Sequence, residues 1–192
     1  MQFISRTSTL PDPKKIVKEL AGEDHDFFDI GMVFTSGLEK SEIEELVDLL
    51  RKNLRVKTLI GCTCAGIIGN DVEIEHKIAT TIILARLPEV KITPFSMTQM
   101  QLEQLNKPDD WYNFFEIFPN EKPTFLTFPD PFVFDMNQFL FKIENAFPKV
   151  PIVGGIASAA NQPRENVLFI NETLSILHRL YELYHPYTAL LP

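Results

Sequence analysis

The sequence predicts an α/β fold: a mixed sheet or two packed sheets, built from two strand–helix–strand (βαβ) units with an antiparallel segment between them. Three observations carry that prediction. Helix and strand signals alternate along the chain. Two segments 93 residues apart repeat one pattern: an apolar run, a capped amphipathic helix, then a second apolar run that ends in small residues. Between them, residues alternate apolar and polar with period two. A chain of 192 residues fits one domain that buries about two thirds of its unfolded surface. We assign residues 1–171 to that domain and 172–192 to a helical tail.

The first unit opens with Asp29–Gly37, DIGMVFTSG, an apolar run closed by Thr, Ser and Gly, which reads as a buried strand entering a turn. A helix follows. Ser41 and Glu44 stand at capping-box spacing, and Ile43, Leu46, Val47, Leu50 and Leu54 recur at i, i+3, i+4, i+7 and i+11, a face wide enough to pack on a sheet. Val56–Cys62, VKTLIGC, is the second strand, and the short connections imply a parallel pair with a right-handed crossover. Next, Val72–Pro88 and Val90–Met97 read as consecutive antiparallel strands, with His76 inside the first. The connector after them carries one short helix started by Asp109 or Asp110, and Trp111, Phe114, Phe115 and Phe118 set it against the core.

The second unit repeats the first. Pro123–Pro131, PTFLTFPDP, is a strand ending in a Pro-Asp-Pro turn, and Asp135 with Gln138 makes a second capping box. Met136, Phe139, Leu140, Ile143 and Phe147 reproduce the spacing of the first helix, and Val150–Asn161, VPIVGGIASAAN, is a strand running into small residues. The two units align without a gap from Ile43 on Met136 to Gly61 on Gly154, and slip by about one residue upstream. Internal duplication accounts for this match. So does a shared packing rule, because any two βαβ units bury the same faces.

Composition excludes several functions. The net charge is −8 with a pI near 5.0, and the 18 Lys and Arg form no basic stripe, which argues against nucleic acid as a partner. No apolar run approaches the roughly 20 residues of a membrane helix, and MQFISRTSTLPDPKK lacks a signal-peptide core, so a soluble cytoplasmic protein with no membrane partner is expected. Cys62 and Cys64, one residue apart, would form a strained bridge and read as reduced thiols. The 16 phenylalanines point to a packed apolar interior.

The stretch LIGCTCAGIIGND, Leu59–Asp71, invites three chemistries. Gly61 and Gly66 have phosphate-loop spacing, but Ile67-Ile68 stands where Lys and Ser or Thr are required. Neither glycine segment gives G-x-G-x-x-G, which removes a dinucleotide site. Zinc needs four ligands, and no second Cys or His pair has the spacing. Cys62 as a nucleophile lacks an evident base, although a hydrolase or transferase using Cys62 or Asp130 stays open if the fold supplies one. Asp130 and Asp135 have ordinary roles as turn and cap residues. What remains is geometry. Both strands that follow a crossover helix end in Gly and tiny residues, where α/β sheets bind ligands and where small side chains also allow close packing of protein on protein.

The segments VFTSG, LIGCTCAGII, ILARLPEVKITPF, DPFVFD and AFPKVPIVGGIASAANQPRENVLFIN together resemble the N-terminal FIST domain, a small-ligand sensory domain of signal-transduction proteins, over about Met1–Asn171. The resemblance is to the stand-alone bacterial type. It implies a non-catalytic sensor of amino acids or related metabolites, with a signalling protein or a missing C-terminal FIST domain as partner; no cofactor and no metal are expected for this chain. Two alternatives stay open: an interaction module without a small ligand, and a haem-based nitric oxide sensor, for which no histidine here falls in a family motif. The family segments map onto Gly61, Cys62, Ala65 and Gly66, onto Asp130, Pro131 and Phe132, and onto Gly154, Gly155, Ala157, Ser158 and Asn161; Cys64 and Ala159 depart from the pattern. The expected ligand-binding set is Ser36, Gly61, Cys62, Thr63, Ala65, Gly66, Asp130, Gly154, Gly155, Ser158 and Asn161, with no catalytic residue. After LFIN the family continues into another strand, whereas here Leu174, Leu177, Tyr181 and Tyr184 stand at helical spacing, as in a truncated or split form.

Overall fold

In a computed structural model of the protein, residues 1–22, 26–163, 165–171, 173–175 and 187–191 are described. The elements run β1 (Gln2–Ser8), α1 (Pro13–Ala21), β2 (Phe27–Ser36), α2 (Lys40–Asn53), β3 (Arg55–Thr63), β4 (Gly66–Gly69), β5 (Val72–Glu75), β6 (Ala79–Arg86), β7 (Thr93–Ser96), α3 (Gln99–Gln104), α4 (Pro108–Phe115), β8 (Thr124–Phe128), α5 (Met136–Ala146), β9 (Ile152–Gly154), β10 (Leu168–Ile170), β11 (Thr173–Ser175) and β12 (Tyr187–Leu191). They divide into two compact units, Met1–Glu89 with Ala157–Ile176 and Val90–Ile156 with Leu177–Pro192. The fold is mixed α/β, and each predicted βαβ segment founds one of the two units.

The first unit is a six-stranded sheet in the order β1-β6-β2-β3-β10-β11. The pair β2–β3 is parallel, as the crossover through α2 requires, and the remaining pairs are antiparallel. All five apolar positions predicted for α2 are buried, and they pack with Phe28, Val33, Val56 and Leu59 of the sheet. Truncating a side chain as enclosed as Leu46 or Leu50 to alanine costs about 2–5 kcal/mol. Helix α1 joins the same cluster through Ile16, Val17 and Leu20. Its start is written in Asp12-Pro13: the Asp12 carboxylate accepts from the N–H groups of Lys14 and Lys15 at 2.8 and 3.3 Å, and Pro13 occupies the first helical position. Neither α1 nor β1 was expected from the sequence, although that cap was there to be read.

The second unit is a four-stranded sheet, β7-β12-β8-β9, with β8–β9 parallel across α5. Its core is aromatic. Phe115 stacks near Phe125 and Trp111, with ring centroids 5.1 and 5.8 Å apart, and Phe147 lies 5.3 Å from Phe125. The phenylalanines thus fill the space between α4, α5 and β8.

Several local expectations shift. Helix α2 begins at Lys40, earlier than the Ser41–Glu44 box implied, with Glu39 as N-cap; the Glu42 carboxylate accepts from the Glu39 N–H at 2.7 Å. Asp135 does cap α5, its Oδ1 accepting from the Gln138 N–H at 2.9 Å, but the returning bond of the box comes from Gln99, whose Oε1 accepts from the Asp135 N–H at 2.9 Å. The Val72–Pro88 segment is not a meander. β5 closes a hairpin with β4 through Asn70 and Asp71, at φ 51° and 62°, while β6 leaves it to pair between β1 and β2. His76 stands outside β5 with φ 55°. The connector holds two helices, α3 and α4, and Phe118 is exposed. Leu174 lies in strand β11 where a helix was expected; Leu177, Tyr181 and Tyr184 lie outside the described residues.

The one-residue slip seen in the sequence is visible as register. Gly61 pairs with Val33, and its counterpart Gly154 pairs with Thr127, so the earlier strands are displaced by 94 residues where the later ones are displaced by 93. A Cβ placed on Gly61 would lie 2.1 Å from the Val33 carbonyl oxygen and 2.3 Å from Cζ of Phe169; on Gly154 it would lie 1.9 Å from the Thr127 carbonyl oxygen. Both glycines are therefore required by a backbone carbonyl of the parallel neighbour, and Gly154 also has φ +142°.

Two outcomes follow. Gly61→Ala destabilises the protein by about 3 kcal/mol or more, at or beyond the upper end of overpacking, in chemical denaturation, whereas Gly155→Ala, whose Cβ meets nothing within 4 Å, stays within about 0.5 kcal/mol of wild type. The exposed Asp110 carboxylate, held ionised mainly by the Lys107 N–H and then by that of Asn106, has its pKa lowered. Its folded-state pKa lies below the unfolded one, so this cap is complete above the unfolded value and is lost as pH falls through the folded one. The Asn106 and Lys107 amide resonances should titrate with a midpoint below that of an ordinary aspartate.

Candidate functional site

In the first unit, the carboxyl ends of β2 and β3 run into Thr35, Ser36, Cys62, Thr63, Cys64 and Ala65. Their polar groups are taken by protein. Ser36 Oγ donates to the Lys77 carbonyl at 2.8 Å, and Thr35 Oγ1 lies 2.8 Å from Thr80 Oγ1. Thr63 is bound twice to Val167: its N–H donates to the Val167 carbonyl and its Oγ1 accepts from the Val167 N–H, each at 3.0 Å. The two small-residue segments, GCTCAG and IASAAN, meet here. The Ser158 N–H donates to the Thr63 carbonyl at 3.2 Å, and Ser158 Oγ accepts from the Ala65 N–H at 3.1 Å. Gly66 starts the β4–β5 hairpin, and Asn161 is exposed, its N–H 3.4 Å from a Glu165 carboxylate oxygen.

The residue that organises this loop is Asn166, which sequence reasoning missed. Its buried amide accepts from the Ala160 N–H at 3.1 Å and donates to the Ala157 carbonyl at 3.4 Å. A polar residue directly before the apolar run VLFI was the available signal.

Cys62 is buried and Cys64 half-buried, both reduced, with their sulfurs 3.9 Å apart. Donation from the Cys62 thiol toward the Cys64 sulfur raises the Cys62 pKa well above the ordinary thiol value, and burial and the Cys64 charge raise it further. The same bond lowers the Cys64 pKa against the opposing effect of burial. Among the described residues no group of three or more His, Cys, Asp or Glu side chains could hold a metal ion.

In the second unit, the carboxyl ends of the parallel pair β8–β9 open onto a cleft of about 710 Å³. Pro129 and Pro131 line it from the end of β8, Ile156 from beyond β9, and Phe132, Val133, Phe134, Met136 and Leu140 supply the apolar wall. Gln99, Asp135 and Asn137 are its polar groups. Asp130 does not line the cleft. Its buried carboxylate accepts from the Phe132 N–H at 3.0 Å, an Asx turn that sets the direction in which Pro131 and Phe132 leave the strand. Leu140, expected in the core, is 39% exposed and faces this cleft.

The expected site residues therefore separate. Ser36, Gly61, Cys62, Thr63, Ala65, Gly66, Ser158 and Asn161 belong to the first unit, and Asp130, Gly154 and Gly155 to the second. No helix of the described residues is long and apolar enough to cross a membrane. Residues 29–178 match the family model of the FIST N domain. No curated protein matches the chain.

Asn166→Ala leaves the Ala160 N–H and the Ala157 carbonyl without their side-chain partner and should cost about 1–3 kcal/mol, with faster hydrogen exchange at Ala160 as the direct check.

Proposed function

We propose, from the premise that this chain belongs to the FIST N domain family, a family of sensory domains, that it binds a small amino-acid-like ligand in the cleft at the carboxyl ends of β8 and β9. It is a non-catalytic cytoplasmic sensor, and the signal passes to a protein partner or to a C-terminal FIST domain. The observation that carries this reading is the contrast between the two strand ends. In the first unit the polar groups at the end of β3 are satisfied by Ser158 and Val167. In the second unit the corresponding end opens onto a cleft of about 710 Å³, large enough for a small metabolite, in the place where α/β sheets bind ligands.

The lining suits the ligand class. An apolar side chain would pack on Phe132, Met136 and Leu140, an ammonium would pair with the carboxylate of Asp135, and the amide of Asn137 would hold a carboxylate. Gln99 is committed elsewhere, to Asp135, Glu103 and Gln138. The side-chain hydrogen-bond neighbour of Cys62 among the described residues is the Cys64 sulfur. Haem fits the described part of the cleft poorly: among the described residues its lining has no His, Cys or Tyr, and His25, His178 and His185 lie outside them.

Isothermal titration of wild type and Leu140→Arg against a panel of amino acids tests the reading. At least one member should bind wild type, and the arginine, which fills the cleft, should weaken it by about tenfold or more, about 1.4 kcal/mol. Absence of binding across the panel, or binding indifferent to Leu140→Arg, contradicts it.

A further inference from the structure

We propose that Cys62 and Cys64 form a two-thiol peroxide-responsive site, in which Cys64 is oxidised first and Cys62 then closes a reversible disulfide. Three geometric observations support it. The sulfurs lie 3.9 Å apart, so a bond between them needs side-chain rotation and no approach of distant segments. Their burial differs, with Cys62 enclosed and Cys64 only partly buried, so Cys64 is the more accessible residue of the pair. The Cys64 backbone is anchored, its N–H donating to the Thr35 carbonyl at 2.8 Å, which keeps the second sulfur beside the first. The ionisation order agrees with this assignment, because the accessible thiol is the one whose pKa is lowered and the enclosed one is raised.

The chemistry balances in two steps. The Cys64 thiolate attacks one oxygen of hydrogen peroxide; the S–O bond forms, the O–O bond breaks, and the departing hydroxide takes a proton from solvent to leave as water. The Cys62 sulfur then gives up its proton and attacks the Cys64 sulfur. The S–S bond forms, the S–O bond breaks, and the hydroxide leaves with that proton as a second water. The protein loses two protons and two electrons, and the peroxide is reduced to two waters. A ring closed across a single intervening residue is strained, which makes it readily reduced by thiols. Thr63, inside the ring, and Ala65, beside it, are the residues that hold Ser158 of the 157–160 loop.

The test uses the full chain, reduced, freed of reductant and treated with one equivalent of hydrogen peroxide, read by intact mass. Wild type should fall by about 2 Da, lose both thiols together and regain them with dithiothreitol. Cys62→Ser should stop at a Cys64 sulfenic acid that dimedone traps, and Cys64→Ser should leave Cys62 oxidising at least about tenfold more slowly. A wild type that gains oxygen without the 2 Da loss, that bridges only between molecules, or that is unchanged overturns the proposal whatever the variants do. Equal rates for wild type and Cys64→Ser overturn it as well.

Discussion

The fold depends on how closely two parallel strands can approach where the crossover ends. At Gly61 the backbone of β3 lies so near the Val33 carbonyl that a Cβ would sit 2.1 Å from its oxygen, and the Phe169 ring covers the same point from the other neighbour. This one position joins β2, β3 and β10 at the centre of the first sheet. Any larger side chain would separate the parallel pair that α2 packs against, or displace the strand that returns from residue 168. In the second unit Gly154 stands in the same relation to Thr127. The repeat is thus a repeated steric demand as well as a repeated sequence.

That demand changes what small residues mean at strand ends. Glycine at 61 and 154 is accounted for by protein against protein, and Ser158, Thr63 and Ser36 spend their hydrogen bonds holding loops. Close packing and ligand approach, which the sequence left as equal explanations, therefore part company between the units. The first unit fills its strand end with the 157–167 segment. The second leaves an apolar cleft, shaped by the Asx turn at Asp130 and walled by one face of α5.

The elements most legible in the sequence were those set by periodic burial. The five spaced apolar residues of α2 and three of the five in α5, Phe139, Ile143 and Phe147, are enclosed, because a helix lying on a sheet leaves no other place for them. Leu140 departed from that rule: it is exposed and lines the cleft. Pairing was less legible. Nothing local in Ala79–Arg86 says that it inserts between β1 and β2, since that choice is made by long-range strand partners. The capping boxes were half legible: the spacing identified Asp135 correctly, but Gln99, distant in sequence, completes it. For the candidate site, the sequence marked both strand ends. It gave no sign of which end would be filled, because that depends on Asn166 and Val167 returning from a hundred residues away.

The most direct measurement of the central claim, that the open strand end of the second unit and not the filled one of the first receives a ligand, is amide chemical-shift mapping with an amino-acid panel. The account predicts perturbations concentrated at 129–137 and 154–156, with 61–65 and 158 unmoved. Shifts confined to 61–65 and 158, with the cleft residues silent, would contradict it.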